Sequence, residues 1–176
     1  MKQLFDFFFK GNFFVKLALL LWSLFTSLFS SAQVAKNSEL YKTLKAKDSI
    51  LFERTFNLCE LEKLPPLIND DFEFYHDVAG EEGREAFLNS VKNNICSNKE
   101  EKIIRKLDEK SLTVFPLKKN NKLYGAIQSG KHYFLIRKDN NETPTGSALF
   151  THLWILKDNK WKLKRVLSFN HIPVQN

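Results

Sequence analysis

The chain has 176 residues, 43% of them apolar, which is long enough for one domain with a substantial core. Its formal charge of +7 is spread over several segments rather than gathered into a block, which sets nucleic acid aside as a partner. "KWKLKR" is no exception, since Lys160, Lys162 and Lys164 alternate with Trp161, Leu163 and Arg165 as on any half-solvated strand.

Lys2, Lys10 and Lys16 precede the uncharged run "LALLLWSLFTSLFSSA", the pattern of an export signal. Ser30 and Ala32 suit a cut after Ala32, so residues 1–32 are expected to be a signal peptide and 33–176 a single exported domain, periplasmic or extracellular. The other reading is an uncleaved anchor, against which the run ends in Ser-Ser-Ala-Gln rather than in basic residues. No cysteine stands at the cut, so a lipid anchor is not expected, and the signal is the one contact with membrane. Its removal takes away three lysines and one aspartate and leaves 144 residues at +5.

From a cap at Asn37 or Ser38, apolar residues recur at Leu40, Leu44, Leu51, Thr55 and Leu58, the spacing of a long amphipathic helix. "ELEKLPPLI" reads as a short second helix ended by Pro65 and Pro66, and "DFEFYHDV" alternates as a strand. Ala79 and Gly80 turn the chain, the acidic "GEEG" is a turn rather than a phosphate loop, and "GREAFLNSVKNNI" is helical. Strands are predicted at 102–107, 111–118, 122–137, 146–157 and 160–172, with "KDNNETPTG" as a hairpin loop. Helices followed by a meander give an α+β domain with the helices on one face of an antiparallel sheet. Cys59 and Cys96 could form one bridge in an exported chain, but the preferred reading makes both small buried hydrophobes on helices.

"LEKLPPLINDDFEFYHDVAGEEGREAFLNSV" and the closing "WILKDNKWKLKRVLSFNH" resemble the opening and final hairpin of the nuclear transport factor 2-like superfamily, closest to its SnoaL-like branch of unknown function. The likeness spans about residues 37–173. It implies a cone-shaped, cystatin-like fold with a strongly curved sheet, and a range of roles from isomerases, dehydratases and cyclases to ligand binders and dimeric scaffolds.

A two-residue loop at Asp158-Asn159 would set Leu156 against Trp161, Trp154 against Leu163, His152 against Arg165, Phe150 against Leu167 and Gly146 against His171. Thr151, Leu153, Val166 and Ser168 then share the opposite face with the lysines. On the preceding strand the inward set is taken as Gln128, His132, Phe134 and Ile136, with His132 opposite His152, and on the first strand as Phe72, Phe74 and His76. All four histidines thus face one hollow. An inward Arg165 would need a carboxylate, water or an anionic ligand.

Three functions follow from this reading. A pocket enzyme of lyase or isomerase type would use His132 or His152 as acid or base, with Arg165 holding an oxygen. A non-catalytic binding domain would take a partly apolar molecule with a polar or anionic end between Tyr124, Phe134, Phe150 and Trp154, with His76, Arg165 and His171 at its polar end. The third is a homodimeric scaffold with a filled pocket. No cofactor is expected, and no zinc-like spacing marks a metal site, although His76, His132 and His152 are imidazoles a cation could use.

Overall fold

A computed structural model describes residues 32–175. Helix α1 spans Glu39–Ser49, and Ser38 caps it by accepting the Tyr41 N–H at 3.3 Å. From Ile50 to Asn57 the same helix continues in wider π-type turns, one of which closes with the Leu58 N–H donating to the Glu53 carbonyl at 3.0 Å. Its buried stripe is Tyr41, Leu44, Asp48, Leu51 and Thr55, so the predicted apolar spacing holds at Leu44, Leu51 and Thr55, with an aspartate filling the gap between the two leucines, while Leu58 at the end of the stripe is exposed. Cys59, at φ 57°, takes the left-handed conformation that ends the helix. The short second helix is one 3-10 turn, Leu61–Lys63.

Strand β1 is Ile68–His76, and β2, Gly80–Gly83, folds back antiparallel on it. "GEEG" is thus a short edge strand rather than a turn. Helix α2, Arg84–Ser90, again continues in wider turns, Val91–Ile95. Cys59 and Cys96, one at the end of each helix, form a disulfide across 37 residues, which corrects the reading of them as unpaired core residues.

The remaining strands are β3 Lys102–Leu107, β4 Thr113–Lys119, β5 Lys122–Lys138, β6 Asn141–Lys157 and β7 Lys160–Pro173. Three hairpins turn on residue pairs that tolerate positive φ: Asn120-Asn121, Asp139-Asn140 and Asp158-Asn159. The middle turn is tighter than the expected "KDNNETPTG" loop, because Asn141 through Pro144 already pair with Lys138 through Leu135. The strand order is β2-β1-β7-β6-β5-β3, with β4 also on β5. The sheet is mixed rather than purely antiparallel, since β1 runs parallel to β7. Strand β5 is long enough to serve two partners in turn, β4 up to Ser129 and β3 from His132. Gly130 lies between these halves, where a Cβ would stand 3.0 Å from the Phe150 ring. Both helices pack on the same curved sheet, making an α+β fold whose core joins Leu44, Leu51, Phe72, Val114, Phe150 and Trp154. No helix among the described residues is long and apolar enough to cross a membrane. The expected export signal lies outside the described residues, save for its last position.

Candidate functional site

Two bulges in β7 decide which side chains reach the concave face. Leu156 faces Trp161 and Trp154 faces Leu163 as the hairpin register predicts. Then Lys164 is passed over, Leu153 pairs with Arg165, His152 with Val166 and Phe150 with Ser168. A slip of one residue exchanges the faces of a strand. Arg165 therefore lies on the outer face, with its Nε 2.6 Å from Glu73 Oε2, and does not enter the hollow. Val166 and Ser168, read from sequence as outward, turn inward. A second shift beyond Leu149, with Asn170 at φ 57°, returns His171 to the concave side.

Between helices and sheet lies a cavity of about 690 Å³, walled mainly by aromatic and aliphatic side chains including Phe52, Phe74, Phe134 and Phe150. His76, His132, His152 and His171 all line it. Their register differs from the sequence reading: His132 pairs with Ala148, and it is Gln128 that lies opposite His152. Trp154 is fully buried beside the cavity without lining it, and Tyr124 is exposed, 45%, on the outside.

The inner two histidines are held by a polar network. Gln128 donates its amide N–H to the Leu44 carbonyl at 3.1 Å, which aims its Oε1 at the Trp154 indole N–H at 2.8 Å and at His152 Nδ1 at 3.3 Å. Because that oxygen only accepts, the His152 proton sits on Nδ1. His132 is fixed the other way: Arg105 Nε donates to its Nδ1 at 3.2 Å, so its proton sits on Nε2. Burial first, and then the Arg105 charge, lower His132 to a pKa of about 3 and push His152 in the same direction. Both imidazoles are neutral near pH 7, and their Nε2 atoms have neither a partner nor contact with solvent. Phe52 stacks on His152 and meets His132 edge-on. These rings were expected to be the acid and base, yet they are placed as fixed, shielded polar groups.

Arg105 is the buried guanidinium of the fold, a role expected of Arg165. It makes a forked ion pair with Asp48, at 2.7 and 3.0 Å, and lies 3.9 Å from the centroid of the Phe52 ring. Its backbone exchanges two 2.8 Å hydrogen bonds with the Asn57 side chain, pinning α1 to β3. Asp48, Asn57 and Arg105 were missed by sequence. The signal for Asp48 was its place in the helical stripe, where an apolar residue belongs.

At the part-exposed end of the cavity, parallel pairing sets His76 beside Ser168. His171 stacks on His76 with 4.2 Å between ring centroids. Its Nδ1 lies 2.5 Å from Asp77 Oδ1, and its Nε2 3.3 Å from Ser168 Oγ. An ionised Asp77 only accepts, so His171 Nδ1 carries a proton toward it, and in the neutral ring Nε2 is the acceptor for the Ser168 hydroxyl. Partial burial would raise the Asp77 carboxyl, but bonds from the His171 ring and backbone hold it below its usual range. His76 Nδ1 accepts the N–H groups of Val78 and Ala79, each at 3.1 Å, leaving its proton on Nε2. Burial, and then His171, lower the His76 pKa.

His76, Asp77 and His171 bring three ligand-type atoms within 4.8 Å of one another. The His76 Nδ1 lone pair is already committed to two backbone donors and the His171 Nδ1 to a proton, so this donor set fits a hydrogen-bond relay better than a cation. His132 and His152, the other imidazoles read as metal candidates, stand with Phe52 and Phe150 instead.

No family model and no curated protein matches the sequence. Solved structures do match in shape. A protein of unknown function with a cystatin-like fold from Nostoc punctiforme has a TM-score of 0.54 and 13% identity, over 74% of this chain and 91% of that one. A nuclear transport factor 2-like protein from Cytophaga hutchinsonii has a TM-score of 0.54 and 11% identity, over 74% and 97%. A protein from Catenulispora acidiphila has a TM-score of 0.61 and 11% identity, over 75% and 91%. The architecture of this chain, helices laid on one face of a curved mixed sheet, is thus the nuclear transport factor 2-like, cystatin-like fold.

Proposed function

We propose that this is an exported small-molecule pocket protein whose ligand has an apolar body and one neutral polar group. The observation that carries this reading is the 690 Å³ cavity, walled by phenylalanines and aliphatic residues and ending in a cluster of the part-exposed His76 and His171 with the buried Ser168. Such a cavity has the size and composition of a drug-sized binding site. A neutral polar group suits it better than an anion, because Arg105 is already matched by Asp48 and Arg165 by Glu73. The Cys59–Cys96 bond supports export, since disulfides persist in oxidising compartments. The test is native mass spectrometry of the purified protein, before and after exposure to medium-chain alcohols and esters. A bound small molecule that is displaced by Phe134→Trp is expected; a cavity that neither carries nor takes up any of them overturns the reading.

A dimer of the same protein is favoured by a separate observation. Tyr75, Tyr133, Leu167 and Phe169 are 38 to 42% exposed on the sheet face turned away from the cavity. Light scattering across a dilution series tests this, and a monomer at every concentration refutes it.

A further inference from the structure

We propose that Ser168, His171 and Asp77 form a nucleophilic relay that hydrolyses esters of apolar carboxylic acids bound in the cavity. The inference rests on the pocket reading above and names the substrate class of that site. Its basis is the chain of contacts: Ser168 Oγ at 3.3 Å from His171 Nε2, and His171 Nδ1 at 2.5 Å from Asp77 Oδ1, with a further bond from the His171 backbone N–H to Asp77 Oδ2 at 3.3 Å. This is the order a nucleophilic serine needs: a hydroxyl, an imidazole whose near nitrogen holds a lone pair, and a carboxylate that fixes the tautomer and stabilises the imidazolium. The three come from different places in the chain. Asp77 follows β1, while Ser168 and His171 share one face of β7 only because Asn170 adds a residue between them. Asp77 is also tied to the same strand by its backbone N–H, which donates to the Ser168 carbonyl at 3.2 Å.

Ser168 and His171 line the cavity, so a bound acyl chain has an apolar wall to lie against while its carbonyl meets the hydroxyl. In the first half-reaction Oγ attacks the ester carbonyl carbon as His171 Nε2 takes the hydroxyl proton. The bond from that carbon to the alkoxy oxygen breaks, and the alcohol leaves with the proton from Nε2. Water then adds to the acyl-serine, giving its proton to Nε2, and the carboxylic acid departs as Oγ recovers a proton from Nε2. His76, with its proton on Nε2 and its ring stacked on His171, is the adjoining donor for the carbonyl oxygen when it becomes an oxyanion.

The experiment uses the mature chain with a fluorophosphonate probe and p-nitrophenyl butyrate. Wild type should be labelled on Ser168, as mapped by peptide mass spectrometry, and should hydrolyse the ester. Ser168→Ala should lose the label and turnover, and Asp77→Asn should lower kcat on the order of 100-fold or more with little change in KM. A cooperative urea unfolding transition in Ser168→Ala, as in wild type, checks that the variant is folded, and retention of a non-reactive long-chain alcohol by wild type, seen by native mass spectrometry, checks that the pocket binds. Wild type that takes no label, a label on another residue, or full turnover by Ser168→Ala overturns the relay. Loss of alcohol binding in wild type would instead overturn the pocket reading.

Discussion

Arg165 and Glu73 hold each other on the convex side of the sheet, Nε to Oε2 at 2.6 Å, at a register position where β1 and β7 run parallel. The pair is partly solvated, with 24% and 34% of the two side chains exposed, and Arg165 also donates to the Asp71 carbonyl at 2.5 Å. Arg165→Ala should therefore cost no more than about 1 kcal/mol of stability and leave alcohol retention by the cavity unchanged. Native mass spectrometry and urea unfolding read the two effects. Loss of retention would return Arg165 to the pocket.

Asp48 and Arg105 are a different case, since 3% and 2% of their side chains are exposed. Asp48→Asn leaves a buried guanidinium without its counter-charge and should cost about 3–5 kcal/mol. Asp48→Leu combined with Arg105→Met should recover much of that loss, because removing both charges removes both desolvation costs. Equal denaturation midpoints for Asp48→Asn and wild type would contradict the pairing.

Reducing the Cys59–Cys96 bond opens a loop closed across 37 residues and should lower stability by about 4 kcal/mol on the chain-entropy account. Cys59→Ser with Cys96→Ser should unfold at the same urea concentration as reduced wild type. A reductant-insensitive midpoint would mean that the bond is absent.

Burial and the Arg105 charge depress His132 from 6.5 to about 3, so the unfolded chain binds a proton that the folded chain refuses between these values. The stability tied to that neutral ring is complete above about pH 6.5 and drains as the pH falls toward 3, at about 1.4 kcal/mol per pH unit. His152 and His76 are shifted the same way and act with the same sign. Urea midpoints between about pH 7 and 4.5 measure the slope. A flat profile would show that His132 is protonated in the native protein.

His152 carries a nitrogen that nothing satisfies. His152→Phe removes that orphan while Gln128 Oε1 keeps its bond from Trp154, so the change should lie within about 1 kcal/mol of neutral. A loss beyond about 3 kcal/mol would show that the Nε2 atom has a partner, such as a buried water.

Local chemistry was legible in the sequence. The cap at Asn37 or Ser38, the Asp158-Asn159 turn, and the change from helical to alternating spacing before Lys102 placed most elements within a few residues. Long-range pairing was not. Nothing near Ile68 says that its strand runs parallel to β7, and the bulge at Lys164 carries no glycine or proline to mark it. That bulge sent Arg165 outward and Ser168 inward. His171 was nevertheless placed on the correct side, because the second slip at Asn170 cancels the first. Asp48 was overlooked for the opposite reason: its signal was visible as a charged residue in an apolar stripe, and its partner on β3 was not.

The parallel contact between β1 and β7 joins residues such as Glu73 and Arg165, 92 positions apart along the chain. Closing so long a span takes entropy before any reward arrives, so this seam should form late in folding. Asp77 and Ser168 stand on either side of the seam. In the proposed relay a partly folded chain would hold its serine and its carboxylate apart, and reactivity would arise only once the last strand has docked.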